Sequence, residues 1–157
     1  MQWSDVINDP SLRDLPYKIE LDAQGRIVMS PASNRHGIQQ GKLVRLLAGM
    51  LGDGEIATEC SIGTHAGVKV ADVVWMSPEF LRQHGDTTPY PQAPELCVEI
   101  LTSSNSPAEI EDKIRLYLGY GALEVWTVDE QGCISLFGPE GQRQASALPG
   151  IVGHLAT

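Results

Sequence analysis

No run in this 157-residue chain approaches the roughly 18 consecutive apolar residues that a membrane-crossing helix needs, so a spanning segment is excluded. Basic residues are scarce: 11 Lys and Arg stand against 20 Asp and Glu, a net charge of −9. That balance argues against a protein held to nucleic acid mainly by a broad basic surface. It leaves room for an enzyme that meets DNA transiently through a bound cation. Cysteine is rare and odd in number, with Cys60, Cys97 and Cys133 far apart. A disulfide framework is therefore not expected, and reduced thiols in a cytoplasmic protein are. The N-terminus carries Asp5 and Asp9 and lacks a basic-then-apolar pattern, so no secretory leader is expected. Phosphate-binding glycine loops and a Gly-x-Ser-x-Gly elbow are missing. Cys60 and His65 have no second pair to complete a structural zinc site.

What is present is ordinary for a globular protein: 42% hydrophobic and 20% charged residues. The length suits one domain over 1–157, with its core over about 16–138 and with 1–15 and 139–157 peripheral. Alternation over Tyr17–Leu21, a turn at Asp22–Gly25 and a return run at Arg26–Met29 read as a hairpin. Ser33 or Asn34 caps a helix whose apolar positions are Ile38, Leu43, Leu46, Leu47 and Met50. Strands are expected over Glu55–Ile62, Val68–Trp75 and Leu96–Leu101, with a short helical turn over Pro78–Gln83. Ser106, Pro107 and Glu109 form a capping box that opens a second helix, which stops at Gly121. Leu123–Val128 and Cys133–Phe137 read as a closing hairpin. The order gives an α/β (α+β) fold, a central mixed β-sheet flanked by helices.

Two residues do not fit a plain core. Strand side chains alternate faces, so Asp72 shares one with Val68, Val70 and Val74. A buried carboxylate needs a partner, a proton or a metal. A salt bridge or a backbone hydrogen bond would satisfy one such residue, but Glu99 repeats the pattern beside Cys97 and Leu101. Next comes the helix in which Ile110, Ile114, Tyr117 and Leu118 form an apolar stripe. Lys113 projects about 60° from Ile110 and about 40° from Tyr117, at the core-facing edge. A lone lysine there would snorkel to solvent; one above Asp72 and Glu99 would not. Two carboxylates that hold Mg²⁺, with a lysine beside them, are parts for phosphodiester hydrolysis.

Several segments carry a resemblance: Ala71–Trp75, Ala93–Leu101, Ser104–Ser106, Glu109–Lys113 and Gly121–Trp126, with Lys18–Leu21 and Met29–Gly37 before them. In this order, from about Pro16 to Gly138, the chain resembles the Uma2 family of restriction-endonuclease-like proteins, within the PD-(D/E)XK nuclease superfamily. The resemblance implies a metal-dependent DNA endonuclease with Mg²⁺ (Mn²⁺ as substitute) and, as duplex-cutting relatives often are, a homodimer. It implies Asp72 as the motif aspartate, Glu99 as the second acid and the Ile100 carbonyl as a further metal ligand. Leu101 stands where the superfamily has its lysine, and Lys113 takes that part from the following helix. Glu20, His36 and Glu59 are further candidates. Glu20 is equally a surface strand residue, His36 a capping or loop-packing residue, and Glu59 an edge charge. The alternative is a non-catalytic DNA-binding or regulatory domain with a vestigial metal site. A third reading is a small dimeric α/β domain with a satisfied acid cluster.

Overall fold

The computed structural model describes residues 1–148. A short helix, α1 (Trp3–Asn8), and a single 3-10 turn lead into the hairpin β1 (Tyr17–Leu21) and β2 (Ile27–Pro31). Helix α2 (Asn34–Met50) is followed by β3 (Glu55–Thr64), β4 (Gly67–Met76), α3 (Pro78–His84), β5 (Leu96–Ile100), α4 (Pro107–Gly119), β6 (Glu124–Val128), β7 (Ile134–Gly138) and β8 (Gly141–Arg143). The last six strands form one mixed sheet in sequence order. Only β5 and β6 run parallel; the other neighbours are antiparallel. A parallel pair needs a crossover, and α4 supplies it.

Parity builds the layers. Leu96, Val98 and Ile100 face one side, against Leu43 and Leu47 of α2 and Leu51 just past its end. Cys97, Val74 and Val125 face the other, against Phe80 of α3 and Tyr117 of α4. The sheet thus has helices on both faces, as the element order predicts. Ile38 departs from the expected stripe and is 59% exposed. It lies about 180° round α2 from Leu47, so a helix that buries Leu47 must present Ile38 to solvent. The capping box at Ser106 forms as read, with Ser106 Oγ accepting from Glu109 N at 3.2 Å.

The β1–β2 hairpin is separate from the main sheet but leans on β4: Val70 N donates to Glu20 Oε2 at 2.7 Å. Gly67 makes this approach possible. Its φ is +95°, and a Cβ there would stand 2.2 Å from the Leu21 carbonyl oxygen. An alanine at 67 would push away the strand that carries Lys18 and Glu20.

Of the segment read as peripheral, Gly141–Arg143 form the edge strand β8, and Leu148 packs in the core; 149–157 lie outside the described residues. The chain reaches back because Glu124 is fully buried in β6. Its carboxylate accepts from Trp126 Nε1 (2.7 Å), Arg143 Nη1 (2.9 Å), Ser146 Oγ (2.6 Å) and Ala147 N (2.9 Å). Glu124→Gln turns an amide NH₂ toward these donors and strips Arg143 of its counter-charge. The expected loss is about 1–3 kcal/mol in urea unfolding, with the sheet otherwise intact.

Candidate active site

Side chains from six elements, β1, α2, β3, β4, β5 and α4, meet in one cluster. Asp72 is at the middle of β4 and Glu99 one residue from the end of β5, both nearly inaccessible. Adjacent antiparallel strands put their carboxylates side by side. Lys18 of β1 closes the pair: its ammonium is 3.1 Å from Asp72 Oδ1 and 3.1 Å from Glu99 Oε2. The remaining oxygens are tied elsewhere. Ile100 N donates to Asp72 Oδ2 at 2.7 Å, and Tyr117 OH donates to Glu99 Oε1 at 2.6 Å.

Lys113 of α4 approaches from the helical layer. Its ammonium is 3.0 Å from Glu20 Oε1 and 3.6 Å from Glu99 Oε1. It does not snorkel; its residue is 8% exposed. Glu20 is buried rather than a surface strand residue. Ser33 Oγ caps α2 by accepting from His36 N at 3.1 Å, which seats His36 in the first turn with Nε2 3.2 Å from Asp72 Oδ1. Gln40, one turn on, donates to the Asp72 backbone carbonyl (2.8 Å) and to Glu59 Oε1 (2.7 Å). Glu59 has a left-handed φ of +53°, an unfavourable conformation for a strand residue, and it brings a carboxylate oxygen within 4.8 Å of Asp72 and His36. A cleft of about 260 Å³ opens here, lined by Lys18, His36, Glu59, Asp72, Glu99 and Ile100 among others.

The structure therefore brings together Asp72, Glu99, Lys113, Ile100, Glu20, His36 and Glu59. Lys113 is nevertheless paired to Glu20 first, and Asp72 is paired to Lys18. Lys18, Gln40 and Tyr117 escaped the sequence reading, though each left a signal. Lys18 shares strand parity with Glu20, Gln40 follows His36 by four residues, and Tyr117 follows Lys113 by four.

Electrostatics separates the two acids. Burial, then the neighbouring Glu99 charge, pushes Asp72 up to about 7, against the pull of Lys18 and the Ile100 N–H. Burial also disfavours the Glu99 anion, but Lys113, Lys18 and the Tyr117 hydroxyl outweigh it and hold that carboxyl below its usual range. Burial opposes the Lys18 charge, yet Glu99 and Asp72 leave it above its ordinary value. Burial and Glu99 raise Tyr117 well above the usual phenol, so it stays a donor.

A hard divalent cation fits these donors. They are mainly carboxylate oxygens, Asp72 Oδ1 and Glu99 Oε2 converge on one point, and a His–Glu–Asp trio borders it.

Together the fold and the cluster define a mixed-sheet α/β protein with an acid–lysine centre beside its parallel strand pair. A crystallised protein from Anabaena variabilis, titled a putative nuclease belonging to DUF820, shares this fold at a TM-score of 0.67 and 15% identity, over 83% of this chain and 81% of that one. The chain belongs to the Uma2 family, described as "putative restriction endonuclease", whose profile matches residues 10–150. No curated protein matches the sequence.

Proposed function

We propose that this protein is a metal-dependent DNA endonuclease of the PD-(D/E)XK type that hydrolyses phosphodiester bonds. The convergence of Asp72 and Glu99 in the wall of one cleft, with the Lys113 ammonium 3.6 Å from Glu99 Oε1 behind it, carries this reading. Asp72 Oδ1, Glu99 Oε2 and the Ile100 carbonyl would hold Mg²⁺, with Mn²⁺ as substitute. Bound there, the ion would supply Lewis acidity and a more acidic water. Lys113 places positive charge where the scissile phosphate gains negative charge. Tyr117 and Glu20 position Glu99 and Lys113 through the bonds described. His36 and Glu59 each offer a further ligand atom within 4.8 Å of one from Asp72 and would stand beside the ion. The three cysteines are free, which suits a reducing cytoplasm. No described helix is long and apolar enough to cross a membrane. The reading extends to a homodimer by resemblance alone, since superfamily nucleases that cut both strands are often dimers.

The test uses the whole protein, purified away from host nucleases. Thermal unfolding is followed with and without Mg²⁺ or Mn²⁺, alongside nicking of supercoiled plasmid. The parent is expected to gain several degrees with metal and to nick; Asp72→Asn is expected to do neither. Equal metal-induced shifts in the two proteins would remove the metal site. A metal response without cleavage of duplex or single-stranded DNA would favour the non-catalytic alternative.

A further inference from the structure

The two carboxylates offer four oxygens, and their uses differ. Asp72 Oδ2 is held by the Ile100 N–H and Glu99 Oε1 by the Tyr117 hydroxyl, both within the sheet and helix layers. The two oxygens that converge, Asp72 Oδ1 and Glu99 Oε2, are the pair gripped by one ammonium at 3.1 Å each. A cation that bridges these acids must use the same two oxygens. Mg²⁺ binds oxygen at about 2.0–2.1 Å and brings twice the charge, so it and the ammonium cannot share the point.

We propose that Lys18 is a displaceable internal cation: its ammonium occupies the place between Asp72 and Glu99 that the divalent ion takes, and it withdraws when the ion binds. This rests on the metal-site reading above. The two lysines of the cluster differ in their freedom to do so. Lys113 is pinned in α4 by Glu20 at 3.0 Å, away from the converging oxygens. Lys18 hangs from a two-stranded hairpin outside the main sheet, and its flexible stem lies in the wall of the open cleft. Without a cation at this point, the two converging oxygens would face each other with Lys113 and His36 only at their outer sides. Lys18 keeps them aligned for the ion. The same contact weakens apparent metal affinity, because the ion must first compete with a tethered charge.

The experiment is a Mn²⁺ titration of the full chain, read by the electron paramagnetic resonance of free Mn²⁺, in the parent, Lys18→Gln, Lys18→Met and Asp72→Asn. Lys18→Gln keeps a donor for the carboxylates and guards against a folding failure of the methionine variant. Both Lys18 variants are expected to bind Mn²⁺ at least tenfold more tightly than the parent, and Asp72→Asn not to bind. In the parent, ¹⁵N-lysine NMR with Mg²⁺ is expected to shift or broaden the Lys18 ammonium signal while that of Lys113 persists. Parent binding with equal or weaker affinity in both Lys18 variants overturns the proposal and leaves the metal site standing. So does a Lys18 signal unmoved at saturating Mg²⁺. Absence of Mn²⁺ binding in the parent and both Lys18 variants overturns the metal site and the proposal with it.

Discussion

Lys113→Ala is expected to cost both stability and activity. The sequence places Lys113 at the edge of an apolar stripe, where alanine would be mild. The structure buries it between Glu20 and Glu99. Removing the ammonium leaves Glu20 without its cation and Glu99 with Lys18 alone. Breaking a buried ion pair by deleting one partner costs about 3–5 kcal/mol, which urea unfolding would measure. Plasmid nicking per mole of folded protein is expected to fall at least about 100-fold, the order lost when one preorganised charge at a reacting centre is removed. Arg115→Ala is the control. Arg115 is on the same helix, 75% exposed, and paired to Asp112 at the surface, where such pairs contribute little. Nicking by Lys113→Ala at the parent's rate would take the lysine out of the chemistry. A stability loss of under about 1 kcal/mol would contradict its buried pairing.

The legible part of this protein is the part that follows short periods. Parity alone places Asp72 and Glu99 in buried strands, and the helical projection of Lys113 gives the correct approach from α4. The capping box at Ser106 is local, and it forms as expected. Lys18 shows where such reasoning stops. A lysine in a hairpin reads as a solvated charge, yet its side chain crosses to residues 54 and 81 positions away. No local pattern encodes that packing of hairpin against sheet; it depends on Gly67 letting the β3–β4 turn touch the end of β1. Glu59 depends on a left-handed backbone inside a strand, which neither composition nor alternation reveals. Ile38 fails for a simpler reason: five apolar positions on a helix need not all lie on one stripe.

Without divalent metal, stability is expected to fall as pH rises from about 4 to about 7, opposite to the usual acid side of a protein's profile. The cause is Asp72. Its folded carboxyl is pushed up to about 7, while the unfolded one has an ordinary value of 3.8. Between these limits the folded chain holds a proton that the unfolded chain has lost, so unfolding becomes easier with each increment of pH. The slope approaches about 1.4 kcal/mol per pH unit for one proton. Glu99 acts the other way and lower down: its carboxyl is depressed, so its contribution is present above the unfolded value of 4.5 and lost as pH falls beneath it. The titratable groups that face the pair are Lys18 and Glu20 from β1, His36 from α2, Glu59 from β3 and Lys113 from α4, with the Tyr117 hydroxyl beside them. His36 Nε2 lies 3.2 Å from Asp72 Oδ1, so His36→Gln is the companion variant. A slope that survives in it and vanishes in Asp72→Asn belongs to the aspartate. The ionised form of Asp72 is the one that would hold Mg²⁺ or Mn²⁺, so the metal-induced rise in Tm is expected to be larger at pH 8 than at pH 6. Urea midpoints across pH 4 to 8 decide the matter: a metal-free profile that climbs steadily to neutrality would mean that Lys18 alone keeps Asp72 ionised.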